Sequence, residues 1–301
     1  MPVISDDLIA YAGAIAPHID RLSIAVHRHG RPAGRALLEE FGLPGGGTLI
    51  DARPILLAGP ITLDDLATVE RFARREDLGS ALDEYVGQGI LSRDDQTEPA
   101  IYSTTARGQD LLLRLTDLHA RTIAALWAVH GELLAELVAL ATLTTGYAAA
   151  ALPLEHYPAF RLQHATPVPL GAPPAYVLLL HLTALRYLRA DAHATALAAH
   201  QLDAIQATTL TVLWRSAIPP TVEEIAANHH IESEALDAAL AALGRRGLVQ
   251  EQRGRWLPTA EGRATRDTIE LETNRRAAPP FTALGADERA ALLAGLQALP
   301  D

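Results

Sequence analysis

The sequence predicts a mainly α-helical protein with two small β-hairpins, and three observations lead to this fold class. Alanine and leucine dominate the 301 residues, which favours helix. The same order of capping residues, apolar faces and glycines occurs twice along the chain, so one supersecondary unit is repeated. With 49% apolar residues, the chain has enough material for the buried cores of roughly two domains.

Each copy of the repeated unit begins with a helix capped by threonine. Thr62 is followed three residues later by Asp65, and Thr221 is followed at the same distance by Glu224. In this spacing the two side chains can each bond the other residue's backbone N–H, which is a capping box. Both threonines therefore mark the start of a helix.

A second helix follows in each copy and ends at a glycine. Apolar residues recur at helical spacing over residues 78–85 and 236–243. Gly89 and Gly247 come next, each followed by two apolar residues. Glycine takes the left-handed conformation that ends a helix, and the apolar pair then begins a strand.

A β-hairpin and a long helix complete each copy. In the second copy Arg253 and Gly254 predict a tight turn between two short strands, whereas the first copy has a longer acidic excursion over residues 93–99. Both copies then close with Thr-Ala-x-Gly, beginning at Thr105 and Thr259. Threonine at this position caps a long amphipathic helix.

The order helix, helix, hairpin, helix is that of the winged helix-turn-helix. The segments "GRRGLV" and "LPTAEGRATRD" in the second copy resemble MarR-type regulators, and the resemblance covers about residues 202–299. Residues 60–125 resemble them less closely but have the same order of capping residues and glycines. MarR-type proteins dimerise through helices outside the winged domain. The resemblance therefore implies two winged-helix units arranged as an intramolecular pseudo-dimer around a helical platform, with homodimer formation left open.

Three domains are predicted on this basis. Residues 1–126 hold N-terminal helices and the first winged unit, 127–200 form the platform, and 201–301 hold the second winged unit with C-terminal helices. The platform contains six prolines over residues 153–174, a density that predicts an extended connection. Three apolar side chains would anchor it to the surface: Tyr157, Phe160 and Leu162.

The composition restricts the kinds of partner that the protein can bind and the cell compartment in which it is expected. The chain has no lysine and no cysteine and carries a net charge of -11, so it repels polyanions unless its arginines are clustered. Its N-terminus lacks the basic start of a secretory signal, which predicts a cytoplasmic protein. The uncharged stretch Leu137–Leu154 is diluted by threonine, glycine and proline, so we expect a buried helix rather than a membrane span.

The helices that would enter the DNA major groove carry acids. The predicted second helices contain no basic residue within 77–88 and 232–243. The acids on them are Asp77, Asp83, Glu84, Glu232, Glu234 and Asp237. Basic side chains gain affinity for DNA by releasing counterions from its phosphates. Carboxylates at the same positions repel the phosphates instead, which disfavours DNA binding.

Two clusters of arginine favour the opposite interpretation. In the second copy four arginines lie at the end of the second helix and on the hairpin, where they would contact DNA: Arg245, Arg246, Arg253 and Arg255. The first copy has a similar cluster, Arg71, Arg74 and Arg75. The alternative for all seven is a solvated surface with salt bridges to nearby acids.

A ligand site is predicted on the helix formed by residues 175–200. At 3.6 residues per turn, four side chains fall on one face, namely Arg186, Arg189, His193 and His200. Guanidinium and imidazole groups together clamp a carboxylate or phosphate, and His193 is the candidate catalytic acid or base. Asp191 and Tyr187 face the other way, as structural support. The alternative is that both arginines pair with neighbouring acids and that Asp191 binds a backbone group or an arginine.

The segment "LRYLRADAHATAL" is similar to an actinobacterial winged-helix-like family with an Arg-x-Asp-x-His signature. The matching residues are Arg189, Asp191 and His193. The resemblance implies that this helix matters and assigns it no activity. No metal site is predicted, because no histidine has the i, i+4 partner and nearby acid of a helical zinc site. Haem or a divalent metal held by His181 and His193 is a minor alternative, and no other cofactor is indicated.

Three hypotheses for function follow from the sequence. The leading one is a protein that binds an anionic or carbonyl-bearing small molecule on a tandem winged-helix scaffold without sequence-specific DNA reading, with a catalytic or accessory role in specialised metabolism. The alternative is a MarR-type DNA-binding regulator that responds to a small-molecule effector. The third is a module whose acidic helix faces bind a basic protein partner. Whether the protein is an enzyme is left open.

Overall fold

The computed structural model describes residues 4–71, 73–229 and 231–301. The mainly α-helical fold with two small hairpins is confirmed in this part of the chain. The helices before the first hairpin are α1 (Asp6–Glu40), α2 (Gly47–Ala58), α3 (Leu63–Val69) and α4 (Arg75–Gly87). Those between the hairpins are α5 (Ala106–Leu126), α6 (Gly131–Ala151), α7 (Pro158–His164), α8 (Pro174–Ala199), α9 (Ala204–Arg215), α10 (Val222–His229) and α11 (Ser233–Arg245). The last two are α12 (Ala260–Ala277) and α13 (Ala286–Ala298).

Both predicted capping boxes are present. The Thr62 backbone N–H donates to Asp65 Oδ2 at 2.9 Å, and the Asp65 N–H donates to Thr62 Oγ1 at 3.2 Å. In the second copy the Thr221 N–H donates to Glu224 Oε2 at 2.7 Å, and the Glu224 N–H donates back to Thr221 Oγ1 at 3.2 Å. The two copies therefore begin with the same reciprocal hydrogen bonds, which satisfy N–H groups that a helix start leaves open.

Each copy forms a two-stranded antiparallel hairpin. The first pairs β1 (Leu91–Asp94) with β2 (Ile101–Thr104), and the second pairs β3 (Val249–Gln252) with β4 (Arg255–Pro258). Only the second hairpin has a two-residue turn, in which Arg253 and Gly254 have φ of 55° and 75°. Positive φ at both central residues is the turn geometry that matches the twist of paired strands.

The closing Thr-Ala-x-Gly of each copy places glycine against the preceding backbone. A Cβ on Gly108 would lie 2.0 Å from the carbonyl oxygen of Ile90, and one on Gly262 would lie 1.9 Å from that of Leu248. No real Cβ atom fits at that distance, so both positions require glycine. The close approach fixes the start of α5 and α12 against the residue that leads into each hairpin.

The chain divides into two compact units. The larger unit consists of residues 1–191 and 278–301, and the smaller unit consists of residues 192–277. Within the larger unit, one apolar core lies among α1, α6, the first part of α8 and α13, and a second lies among α2 to α5. The smaller unit has its own core, formed by α9 to α12 and the second hairpin. The domain boundaries at 126 and 200 and the pseudo-dimeric arrangement stay predictions.

The proline-rich connection is not wholly extended, and in this respect the prediction was wrong. Residues 158–164 form α7, because Pro158 lies in the first turn of the helix, where the missing N–H costs nothing. Two of the three predicted anchors, Tyr157 and Phe160, are buried, and Leu162 is partly buried. The prolines therefore bracket a short helix that packs on the larger unit.

The long apolar stretch forms α6. Residues 128–151 are long and apolar enough to cross a membrane by length and composition alone, a test that core helices also pass. One face of α6 is buried in the larger unit through Leu134, Leu137 and Ala141. The expectation that this stretch is no membrane span stays a prediction.

Candidate functional site

Three of the four side chains of the predicted ligand face each contact a different residue. On the larger unit, Arg186 Nε lies 3.5 Å from Asp20 Oδ1, and Arg189 is half-buried. On the smaller unit, His193 Nδ1 lies 2.9 Å from Thr273 Oγ1, and His200 Nε2 lies 3.7 Å from Glu272 Oε2. A ligand shared by the four residues stays a prediction.

Asp191 connects α8 to the start of α7. Its side chain is 1% exposed, pairs with Arg71 and accepts the backbone N–H of Phe160 at 2.9 Å. A carboxylate is stabilised at a helix N-terminus, where N–H groups converge. Burial raises the pKa of the Asp191 carboxyl, and the Phe160 N–H and Arg71 oppose that rise.

The largest concentration of ionisable groups lies elsewhere in the larger unit, and the sequence did not predict it. Seven side chains from α1, α2, the end of α3, α5 and α8 make up what we term the polar recess. They are His27, Asp51, Arg53, Glu70, His119, Arg186 and Tyr187. Of the predicted ligand face, the recess contains only Arg186.

Arg53 and His119 form the buried part of the recess. Arg53 is 5% exposed and His119 is 2% exposed. Arg53 Nη1 donates to His119 Nδ1 and, at 3.5 Å, to the carbonyl of Leu115. Since Nδ1 accepts this bond, His119 is the neutral tautomer that carries its proton on Nε2. Burial and the neighbouring guanidinium together lower the pKa of His119 to about 2.

His27 and Asp51 form the part of the recess that is exposed to solvent. His27 Nε2 lies 3.9 Å from Asp51 Oδ1, and the two side chains are 41% and 44% exposed. Burial is nevertheless the main cause that lowers the pKa of His27 and raises that of Asp51. The His27 ring also stands edge-on to His119, with 5.6 Å between ring centroids.

Glu70 gives the recess a group that titrates near neutrality. Burial, aided by the negative charge of Asp51, raises its pKa from 4.5 to about 7. The same burial, with Glu70 and Asp51 nearby, raises the pKa of the Tyr187 hydroxyl. Strongly shifted groups that act on one another are typical of binding and catalytic sites. The arrangement can donate hydrogen bonds, hold an anion and exchange a proton at Glu70.

The described residues contain no group of three histidine or acidic side chains placed to hold a metal ion. The ionisable side chains of the recess include two arginines that cannot ligate a cation, and each carboxylate lies close to an opposite charge.

The acids on both candidate reading helices face solvent. On α4, Asp77, Asp83 and Glu84 are exposed, and on α11, Asp237 is exposed, as is Glu234. Arg74 pairs with Asp77 at 2.8 Å and Arg93 with Asp83 at 3.1 Å, so part of the α4 charge is neutralised locally. Neither helix presents the row of basic or amide side chains that reads base edges.

The three clustered arginines of the first copy each form an ion pair with an aspartate. Arg71 pairs with Asp191, Arg74 with Asp77, and Arg75 with Asp64. These ion pairs agree with the alternative of a salt-bridged surface for this cluster.

Two of the four arginines of the second copy are tied to nearby groups. Arg246 donates to the carbonyls of His200 and Gln201 at 2.8 and 3.0 Å. Arg255 donates to the carbonyl of Pro219 and lies 4.0 Å from Glu224. Arg245 and Arg253 are exposed, the latter in the turn of the hairpin. The smaller unit therefore keeps two outward arginines beside its acidic helix.

The two copies of helix, helix, hairpin and helix define a helix-turn-helix protein with winged-helix-like hairpins. Residues 119–301, more than half of the chain, match a helix-turn-helix family, and the protein belongs to this family. The matched region contains the second copy and α8, whereas four residues of the recess precede it: His27, Asp51, Arg53 and Glu70. No curated protein and no solved structure gives a significant match.

Proposed function

We propose that this helix-turn-helix protein binds a small polar molecule in the polar recess and does not read DNA sequence. The observation that carries the proposal is the convergence of seven ionisable side chains from five helices, in which buried Arg53 contacts His119, and the His119 ring stands against the half-exposed His27 beside Asp51. Burial of Arg53 and partial burial of Glu70 disfavour their charged forms. A concave surface with a few convergent polar groups is the usual form of a small-molecule site.

The electrostatics of the winged units support the second half of the proposal. Between residues 192 and 277 the chain has nine arginines and eleven acidic residues, so the smaller unit carries no excess of positive charge. The exposed carboxylates of α4 and α11 would lie against phosphates in the ordinary docking of this fold. Repulsion would then oppose the term that supplies most non-specific DNA affinity.

A thermal-shift screen with three matched variants tests ligand binding. The compounds are small carboxylic acids, phosphates, amines and uncharged polyols, and the variants are Arg186→Ala in the recess, Arg189→Ala on the predicted face of α8, and Arg35→Ala at an exposed position of α1. We expect at least one compound to raise the Tm of the wild-type protein and of Arg35→Ala, and to lose most of this effect in Arg186→Ala. Loss of the effect in Arg189→Ala as well would extend the site along α8.

The ligand-binding proposal fails if no compound raises the Tm of the wild-type protein. It also fails if a compound that does so acts equally on Arg186→Ala and Arg35→Ala, because the molecule would then bind outside the recess.

A second candidate function, DNA-binding regulation of the MarR type, is favoured by the family match and by the two outward arginines, Arg245 and Arg253. With Arg246 and Arg255 they would hold the phosphate backbone beside the hairpin. A gel-shift titration against the DNA upstream of the protein's own gene, at low salt, tests it. Regulation predicts a sequence-dependent complex that weakens steeply with salt and is weaker for Arg253→Ala than for Arg35→Ala.

A further inference from the structure

The arginines of α1 form a row on one face of the helix. At 3.6 residues per turn they fall within about 80° of one another: Arg21, Arg28, Arg31 and Arg35. Arg21 and Arg28 both pair with the carboxylate of Asp301, at 3.4 and 2.8 Å. Arg31 and Arg35 are exposed and form no ion pair with any described residue. We term Arg28, Arg31 and Arg35 the arginine row.

The arginine row is unfavourable for the helix that carries it. Like charges three or four residues apart on a helix repel each other, and both spacings occur, from Arg28 to Arg31 and from Arg31 to Arg35. Glu39, the next acid along this face, is exposed and does not pair with Arg35. The row is therefore a positive surface about 10 Å long that has one acidic partner in the described chain, Asp301 at Arg28.

The first part of α11 carries the opposite charge. Glu232 lies just before the helix, Glu234 lies in its first turn, and Asp237 follows almost one turn later. All three are exposed, and none forms an ion pair within the part of the chain that the structure describes. An acid in the first turn stabilises a helix start, which accounts for Glu234 but not for Asp237. We term these three residues the acidic face.

The two surfaces match in charge, in length and in the apolar groups beside the charges. The acidic face spans about 8 Å along α11, and the arginine row spans about 10 Å along α1. Ile24, 37% exposed, lies on the face of the row, and Ala238 and Ala241 are exposed on the same side of α11 as the acids. The acids of α4 match less well, because Asp77 and Asp83 already pair with arginines of their own unit.

A second copy of the chain satisfies both surfaces, whereas a nucleic acid satisfies one. Phosphates would pair with the arginine row but would leave the acids of α11 without partners. A second copy offers acids to the row and arginines to the acidic face. At about 0.1 M salt the Debye length is about 10 Å, so the repulsion between two chains of net charge -11 is largely screened, while pairs in direct contact persist.

We propose that the arginine row of α1 binds the acidic face of α11 in a second copy of this chain. Every copy carries both surfaces, so the contact is self-complementary. It covers the helix face that enters the DNA groove in the ordinary docking of this fold. It shares no residue with the polar recess and is therefore independent of ligand binding.

Sedimentation velocity of the full chain at increasing concentration tests this contact. We expect self-association at about 0.1 M NaCl that is at least about tenfold weaker at about 1 M, because salt screens exposed ion pairs. Two charge-reversal variants should stay monomeric where the wild-type protein associates, since like charges then meet. One carries Arg31→Glu with Arg35→Glu, and the other carries Glu234→Arg with Asp237→Arg.

A mixture of the two variants in equal amounts gives the sharpest test. The new glutamates of one variant then meet the new arginines of the other, and the unchanged row meets the unchanged acidic face, so association should return. The control is Arg215→Glu with Arg263→Glu, which has the net charge of the first variant but changes exposed positions on α9 and α12. It should associate like the wild-type protein. Circular dichroism shows whether each variant is folded, and the wild-type salt dependence stands without them.

Four results would overturn the proposal. The contact does not exist if the wild-type protein is monomeric at every concentration, if both folded reversal variants associate as the wild-type protein does, or if their mixture stays monomeric. The partner is a nucleic acid instead if a DNA duplex of unrelated sequence binds the wild-type protein but not the variant with Arg31→Glu and Arg35→Glu. Ligand binding in the recess stands in each case.

Discussion

The two helix-turn-helix copies share their backbone hydrogen bonds and differ in the arginine that is buried near each. In the smaller unit Arg266, on α12, is 3% exposed and pairs with Glu270. Its Nε also donates to Thr211 Oγ1 at 2.9 Å, and its guanidinium lies 5.1 Å from the centre of the Trp214 ring. In the larger unit Arg53 is equally buried but has only neutral acceptors.

This difference separates an arginine whose charge is paired within the fold from one that forms no ion pair among the described residues. The charge of Arg266 is balanced by a side chain of its own helix, although its Nη1 is buried without a hydrogen-bond acceptor among the described residues. The charge of Arg53 is not balanced by an ion pair, so the larger unit stores the cost of isolating it. The two copies therefore share a backbone arrangement but differ in the contacts of the buried arginine near each. The fold alone does not assign function here.

The strongest test of the shared backbone is to replace the two closing glycines. Gly108→Ala and Gly262→Ala each place a Cβ within 2.0 Å of a backbone carbonyl oxygen. Because backbone must move to relieve the overlap, we expect each variant to lose about 3 kcal/mol or more of unfolding free energy, measured by urea denaturation. Gly146→Ala is the control, since a Cβ there meets no atom within 4 Å on the exposed face of α6. It should be neutral or slightly stabilising.

Unequal losses in Gly108→Ala and Gly262→Ala would show that one close approach can relax. The two copies would then share their hydrogen-bond pattern but not the tight contact of glycine with the preceding backbone.

The difference between the buried arginines is tested by replacing each with methionine, which fills a similar volume without charge. Arg266→Met leaves Glu270 without its partner, so it should lower the unfolding free energy by about 2 kcal/mol. Arg53→Met removes a charge that has no carboxylate partner and should change stability by less than about 1 kcal/mol. Urea denaturation measures both. If Arg53→Met is the more destabilising of the two, Arg53 is a structural residue and the comparison breaks down.

The effect of replacing Glu70 should be moderate and should depend on pH. Its folded pKa of about 7 lies above the ordinary 4.5, so ionisation is disfavoured in the fold. The contribution of Glu70 to stability therefore falls as pH rises from about 4.5 to about 7 and stays unfavourable above that. Glu70→Gln should be more stable than the wild-type protein by about 1 to 2 kcal/mol at alkaline pH, and nearly equal to it at acidic pH.

Urea denaturation near pH 5 and near pH 8 measures that difference, with Glu84→Gln as the control for removal of one exposed carboxylate. An equal gain for both variants would indicate a general charge effect. The partly ionised state assigned to Glu70 in the recess would then be wrong.

The repeated architecture could be predicted from the sequence because its signals are local. Thr62 with Asp65, and Thr105 with Gly108, are capping patterns that need only a few residues to specify their geometry. The helix α7 was missed because proline density was interpreted as continuous extension, although one proline suits a helix start.

The polar recess could not be predicted because its members have no common spacing. His27, Arg53 and His119 lie on three different helices and meet only when those helices pack together. The available signal was the pair Asp51 and Arg53 within the otherwise apolar run from Leu49 to Ala58, where charged residues are unexpected.

The larger unit is interrupted in the sequence by the smaller one, and this fixes an order of assembly during translation. Residues 278–301 return to the core formed by α1 and α6, where Phe281, Leu292 and Leu296 are buried. The ribosome delivers the whole of residues 192–277 before those side chains emerge. The smaller unit is therefore able to fold while the larger unit still exposes part of its apolar core, which closes only when the last residues of the chain emerge.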